Sequence, residues 1–290
     1  METLLRPIYQ EHASNPATLG IIILEKVKPN SPITDDFDVI LLIMVSEAEQ
    51  PWKVKHYEFD DKSAALHIVT KDLLREWIDT SGYRRAIEWV IYGRKIFDRN
   101  GFITELKEEL RSFPTEKRDL RKIIEFGKLV KRYKEGKELF EIGEHKEAYR
   151  KMNYSLHYLA RLTVIEEGFY PEVTVWSQVK QIDLETYKLY EEFIESHEPI
   201  EKRIQLMVIA IEFIINKRAR VATKHLLDVM QSKKEPWSFA ELKVHPLIAP
   251  YMLDVAAILS YLVEKNIIRT VREVTKGVGV YHRKYVVNER

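Results

Sequence analysis

Apolar positions change their period twice along this chain. Up to about residue 112 short apolar runs alternate with turn signals. Residues 19–25, built on Ile21-Ile22-Ile23-Leu24, and 37–45 read as strands, and the run Val39 to Val45 as one buried on both faces. Strands at 53–59 and 64–70 flank Asp60-Asp61-Lys62-Ser63, a hairpin turn. A short amphipathic helix on Leu4, Leu5, Ile8 and Tyr9 ends before Asn15-Pro16. Residues 71–78 and 83–92 read as helices and 95–98 as an edge strand. From Pro114 to about Lys234 the period becomes helical: Leu120, Ile123, Ile124, Gly127 and Val130 recur on one face, and Tyr149 to Val164 form a second long helix ending at Gly168. With 184–194 and 200–230 this predicts a bundle of four or five helices. Beyond a linker at Ser232 to Pro236, helices at 239–242 and 251–263 precede two alternating strands, 267–274 and 278–287, around Thr275-Lys276-Gly277. The expected fold is α+β: an α/β domain (1–112), an all-helical bundle (113–234) and a small winged-helix-like domain (235–290).

Composition narrows the chemistry. The chain has 290 residues, 45% hydrophobic and 31% charged, which suits packed domains rather than disorder. Its formal net charge is +1, so any nucleic-acid surface is local rather than global. Cysteine is absent, excluding disulfides, thiolate metal sites and a cysteine nucleophile, and fitting a reducing compartment. With no signal-peptide pattern and no apolar stretch of about 18 residues, a cytoplasmic protein without a membrane partner is expected.

One spacing suggests chemistry. Asp36 and Asp38 stand at the mouth of the buried strand Val39–Val45, where alternation would send both side chains to one face. Two carboxylates there suit a hard cation such as Mg²⁺, which takes one or two carboxylates plus substrate phosphates, while the same aspartates also read as plain turn residues before a strand, since Asp accepts backbone hydrogen bonds and tolerates turn geometry.

In these residues the first domain resembles the nucleotidyltransferase superfamily, the fold shared by DNA polymerase β and kanamycin nucleotidyltransferase, and the whole chain resembles the bacterial group called nucleotidyltransferase-like. The resemblance implies that Asp36 and Asp38 are the metal-binding and catalytic Asp-x-Asp, with Mg²⁺ and a nucleoside triphosphate as ligands and a hydroxyl as acceptor. It places nucleotide contacts at Glu25, Lys26 and His67. The family's Gly-Ser falls on Leu24-Glu25, which offers neither a close backbone approach nor a hydroxyl. The family's third carboxylate falls on His67, a poor Mg²⁺ ligand. Nucleotidyl transfer is therefore expected to be slow or lost. The alternative is a non-catalytic regulatory protein acting on nucleic acid or protein through its winged helix.

Other features read as structure first. Arg150 and His157 share a helix face at a spacing resembling that of ribonuclease-type bundles, against a plain solvated face. The aromatic stretch from Tyr149 to Trp176 reads as core, against a substrate-stacking surface, and the basic run Lys217-Arg218-Ala219-Arg220 with Lys224 suits a helix C-terminus. The terminal segment is basic through Arg269, Arg272, Lys276, Arg283, Lys284 and Arg290, but the helix before it, Tyr251 to Tyr261, lacks Arg and Lys. Nucleic-acid contact, if made, is expected through phosphates at the wing, weak and sequence-indifferent.

Overall fold

The computed structural model describes residues 2–27, 31–59 and 61–288. Asp60, Arg290 and the side chain of Leu4, which enter the expectations above, lie outside the described residues. The chain divides into two compact units, Met1–Pro114 with Phe169–Thr174, and Thr115–Gly168 with Val175–Arg290.

In the first unit the elements run α1 (Glu2–Ser14), β1 (Thr18–Glu25), β2 (Val39–Val45), β3 (Trp52–Phe59), β4 (Lys62–Thr70), α2 (Lys71–Thr80), α3 (Arg85–Tyr92), β5 (Arg94–Asp98) and α4 (Phe102–Ser112). The five strands form one sheet in the order β3-β4-β2-β1-β5, with β2 and β4 parallel and the other pairs antiparallel. All seven residues of β2 are buried, as its unbroken apolar run requires. Ile21, Ile23, Val39, Leu41, Ile43, Ala64 and Leu66 make one cluster with Leu5 and Tyr9 of α1, so α1 covers that face of the sheet. The even-numbered positions of β2 face the other way, with His67 of β4, towards α2 and α3. The returning segment Phe169–Thr174 is held in this unit by Tyr170, stacked on Phe113 at 3.9 Å.

The second unit holds α5 (Thr115–Glu141), α6 (His145–Glu166), α7 (Val175–Ile182), α8 (Leu184–Glu195), α9 (Ile200–Ala222) and α10 (Lys224–Met230), then β6 (Trp237–Ser238), α11 (Phe239–Val244), α12 (Val255–Glu264), β7 (Ile268–Val274) and β8 (Tyr281–Val287). Helix α7, like α4 of the first unit, is additional to the pattern read from sequence. The single helix expected over 200–230 breaks at Thr223, whose hydroxyl bonds back to the Ala219 carbonyl (2.7 Å), a bond that bends helices. The expected helix over 251–263 starts at Val255, because Pro246 and Pro250 hold 246–251 in a 3₁₀ turn. The second wing strand starts at Tyr281 because Gly279 has φ +75° and the Val280 N–H closes onto Gly277. β6, β8 and β7 form a three-stranded sheet beside α10, α11 and α12, a winged helix.

Inside this unit α12 is a packing element. It crosses α5 at Gly127, where a Cβ would come within 2.9 Å of Ile258 and 3.0 Å of Asp254. Lys131 pairs with Asp254 (3.2 Å), Lys134 reaches Ser260 (3.2 Å) and Glu264 (3.5 Å), and Tyr261 donates to Asn216 of α9 at 2.5 Å. Between α5 and α6, Glu125 and Arg161 form an ion pair at 2.9 Å, both side chains fully buried. Burial opposes ionisation of Glu125, yet the charges of Arg161 and Lys128 hold its carboxyl down at about 2. Among the described residues no helix is long and apolar enough to cross a membrane.

Candidate functional site

The mouth of β2 is built by hydrogen bonds to both neighbouring strands. The Asp38 N–H donates to the Ser63 carbonyl (3.0 Å), and the Asp38 carbonyl accepts from the Lys26 N–H (2.8 Å). The Asp38 carboxylate faces β4, where its Oδ2 accepts from the Ser63 N–H (2.9 Å) and from the Ser63 hydroxyl at 3.4 Å. Asp36 is placed differently. It has φ +69° and follows Asp35 at φ +48°, so it lies outside the extended backbone, and strand alternation does not set its direction. The strand starts at Val39, which corrects the expected start at residue 37. Two consecutive left-handed aspartates are tolerated because short Asx side chains adopt this conformation more readily than most residues. Asp36 is exposed, with its carbonyl near the Lys26 ammonium (3.4 Å).

His67 does not join Asp38. In the parallel register β4 places Ser63 beside Asp38 and His67 beside Leu42, four residues and roughly 13 Å further along the strand. His67 sits in an aromatic cluster, 4.6 Å from the Trp89 ring and nearly parallel to Trp52. The Trp52 indole N–H donates to its Nδ1 (3.2 Å), so that nitrogen is unprotonated. Burial lowers the His67 pKa to about 4, against the opposing pull of Asp35. Asp35 itself accepts from the Tyr83 hydroxyl (2.9 Å) and pairs with Arg85 (2.8 Å). Burial and that bond raise the Tyr83 phenol to about 12. Among the described residues no three Asp, Glu or His side chains cluster as metal ligands.

Glu25 and Lys26 line a cavity of about 720 Å³ at the end of β1. Its walls are the apolar Ile23, Leu24 and Ile33, with Glu88 and Tyr92 of α3, Arg94 of β5 and Glu172 of the returning segment. Glu88 is buried and accepts from the Val173 N–H at 2.6 Å. Burial pushes its carboxyl up, the Val173 bond pulls it down, and nearby Glu172 pushes it up again, for a net rise. The Tyr92 hydroxyl donates to Glu172 at 2.6 Å. Sequence reasoning missed these residues, although Glu88 leaves a trace as the lone carboxylate of Ala86-Ile87-Glu88-Trp89-Val90-Ile91.

The cavity's donor set bears on the ligands the resemblance implies. Mg²⁺ bound with a triphosphate takes one or two protein carboxylates, and neither Asp36 nor Asp38 is among the residues that line this cavity. Lys26 and Arg94 offer cations for phosphate oxygens, while Glu25, Glu88 and Glu172 leave less room for negative charge than a glycine-rich cradle would.

The remaining candidates sort as structure. Arg150 pairs with Glu147 on the surface (2.7 Å). Tyr149 stacks on Phe193 and Trp176 on Tyr190, but Tyr154 and Phe169 of the stretch expected to be core are exposed. Arg218 is held by Glu166 (2.9 Å) and Lys224 by Asp228 (2.7 Å).

Comparison with known proteins agrees with this architecture segment by segment. Residues 1–118 match the family described as Nucleotidyltransferase-like, residues 119–218 the YgxA-like substrate binding domain, and residues 224–287 a Helix-turn-helix domain. The protein YgxA of Bacillus subtilis (strain 168) is 46% identical over 285 residues, covering 98% of this chain and 97% of that protein. A crystal structure of a nucleotidyltransferase-like protein from Exiguobacterium sibiricum 255-15 superposes with a TM-score of 0.82 at 38% identity, covering 99% of both chains. With its α/β sheet, helical bundle and winged helix in that order, the chain belongs to the YgxA family of nucleotidyltransferase-like proteins.

Proposed function

We propose that the first unit binds a nucleoside triphosphate with Mg²⁺ near Asp36 and Asp38, and that nucleotidyl transfer is slow or lost. The observation that carries this reading is the register of β4: the position beside Asp38 is Ser63, and His67 is distant and uncharged. In a competent site Mg²⁺ would neutralise the triphosphate and orient the attacking oxygen. Here Asp36 and Asp38 supply the only carboxylates of the Asp-x-Asp, and Leu24-Glu25 supplies no phosphate cradle. One lost preorganised group commonly costs about 10²–10³ in rate, and two would compound. A thermal-shift series with four nucleotides, with and without Mg²⁺, tests binding, because a ligand stabilises the native state by mass action. Labelled nucleotides with a panel of hydroxyl acceptors test transfer. Mg²⁺-dependent stabilisation without turnover is expected. Turnover on the order of 1 s⁻¹ would overturn the loss of transfer, and the absence of any shift would overturn the binding.

A second reading rests on the wing. Arg272 and Arg283 stand directly opposite each other across β7 and β8, an arrangement that costs stability in an isolated hairpin. Neither has an ion-pair partner among the described residues, and each lies over a tyrosine ring, Arg272 on Tyr281 and Arg283 on Tyr285. Such a pair fits a phosphodiester. The packing of α12 on α5 and α9, and its lack of Arg and Lys, favour a contact made by the wing over base reading by that helix. Gel-shift binding to unrelated duplexes tests it. Equal, salt-sensitive binding is expected, and sequence-selective binding that resists salt would overturn it.

A further inference from the structure

The cavity at the end of β1 is built to hold a ligand of its own. It encloses about 720 Å³ and is lined entirely by residues of the first unit. That size suits a small organic molecule. Its walls are fixed in place. The turn Pro32–Thr34 is pinned from α3, where Arg85 Nε donates to the Pro32 carbonyl and the Trp89 indole N–H to the Ile33 carbonyl, both at 2.7 Å. Ile23, Leu24 and Ile33 supply apolar surface. Two polar groups in the lining lack partners that their burial calls for. Thr34 is 1% exposed, and its hydroxyl oxygen has no hydrogen-bond partner. Glu88 is 3% exposed, and while its Oε1 accepts from the Val173 N–H, its Oε2 accepts no bond among the described residues. The bond from Trp89 to Ile33 joins the neighbour of one to the neighbour of the other, so Glu88 and Thr34 stand on adjoining walls. A buried acceptor without a donor costs free energy, which a bound donor recovers.

We propose that this cavity binds a primary monoamine with an apolar body, its ammonium at Glu88 with the Thr34 hydroxyl as a further acceptor, and its hydrocarbon part against Ile23, Leu24 and Ile33. Charge selects this class. Among the described residues of the lining, Glu25, Glu88 and Glu172 stand against Lys26 and Arg94, an excess of one negative charge when Glu88 is ionised. One ammonium balances that excess, a polyamine overshoots it, and an anion adds to it. Glu172 is engaged by the Tyr92 hydroxyl (2.6 Å), and the Lys26 ammonium lies towards the Asp36 carbonyl (3.4 Å). Glu88 is the buried acid of the set, with no ion pair among the described residues. An ammonium carries three donors and no acceptor, and an ionised carboxylate accepts only, so the two are matched. Burial raises the Glu88 carboxyl, and a cation beside it opposes that rise. Neither Asp36 nor Asp38 lines the cavity, so amine binding stands or falls apart from nucleotide binding.

The test is calorimetric titration of the full chain with n-hexylamine, cyclohexylamine and 2-phenylethylamine, each beside the alcohol of the same shape. At least one amine is expected to bind with a Kd below about 1 mM, and its alcohol at least about tenfold more weakly, the usual worth of a hydrogen bond to a charged group. Spermidine and zwitterionic phenylalanine are expected to bind more weakly than that amine. Glu88→Gln keeps an acceptor for the Val173 N–H and should lower amine affinity at least about tenfold without changing that of the alcohol. Thr34→Val keeps the shape of the wall and should weaken the amine several-fold. Melting temperatures establish that both variants are folded. Asp36→Ala with Asp38→Ala should retain full amine affinity, whatever becomes of nucleotide binding. Failure of all three amines to bind below about 1 mM would overturn the proposal. So would an alcohol as tight as its amine, tighter binding of spermidine or phenylalanine, or unchanged amine affinity in either folded cavity variant. Loss of amine binding in the double aspartate variant would move the amine to the Asp-x-Asp and overturn its assignment to the cavity.

Discussion

The Asp38 carboxylate accepts a 2.9 Å hydrogen bond from the backbone N–H of Ser63, so the second member of the Asp-x-Asp is tied to the strand that should carry a third acid. A serine there ends a chain of negative charge that a two-metal site would need. Substituting Ser63 by Asp places a carboxylate beside Asp38 at the parallel register. We expect Ser63→Asp to strengthen Mg²⁺ or Mn²⁺ binding in the presence of nucleotide, measured by calorimetry, and to lower stability in metal-free buffer through like-charge repulsion. Unchanged metal affinity would show that the two strands do not share a cation.

Glu125 and Arg161 predict a large stability effect far from that site. Removing one member leaves the other charged in a dry interior, so Glu125→Ala should cost about 3–5 kcal/mol in denaturant unfolding. The folded carboxyl titrates at about 2, below its ordinary value of 4.5. Its contribution is therefore complete above about 4.5 and is lost as pH falls towards about 2. Acid titration of the native chain and of Glu125→Ala should differ in that window.

His67 acts at higher pH. Its folded pKa of about 4 lies below the ordinary 6.5, so between these values the unfolded chain binds the extra proton and stability falls as pH drops. His67→Asn should flatten the stability profile between about pH 6.5 and 4, read from melting temperatures in a buffer series. A profile as steep as the native one would assign the slope to another group.

Glu88 has the opposite sign. A carboxyl raised by burial favours the folded state when protonated, and that stability is lost as pH rises through its folded value. Glu88→Gln keeps an acceptor for the Val173 N–H and removes the buried charge, so it should raise the melting temperature at pH 7. Glu88→Ala leaves that N–H without its partner and should cost about 1–3 kcal/mol.

At the wing, Arg272→Glu with Arg283→Glu would remove the two phosphate contacts proposed above. Binding to any duplex should weaken, and the slope of log K against log salt should become shallower by about 2. A control at Lys131, which holds α12 through Asp254, should change stability but not the salt slope.

The sequence by itself determined most of the elements, though not α4, α7 or the break at Thr223. Seven consecutive apolar residues from Val39 to Val45 can only be satisfied by burial on both faces, and β2 is so placed. The 3.6-residue recurrence of Ile123, Ile124 and Val130, and the alternation around Lys276-Gly277, likewise specify helix and hairpin, because each pattern states which side of its own element is apolar. Only the tertiary structure decided what each side meets. The left-handed turn at Asp35 and Asp36 broke the alternation that spacing implied, since it depends on how Tyr83, Arg85 and Trp89, some fifty residues later, grip that loop. The β2–β4 register put Ser63, not His67, beside Asp38, a choice made by pairing two strands across an intervening hairpin. Glu88 became a buried acid because Val173, 85 residues away, returns to cap it. Helix α12 lacks Arg and Lys, so its own sequence favours packing over base reading, but only the structure shows that α5, more than a hundred residues earlier, is the helix it packs on. Periodicity is a property of neighbours along the chain, whereas charge, protonation and access at these positions are set by partners that folding alone brings near.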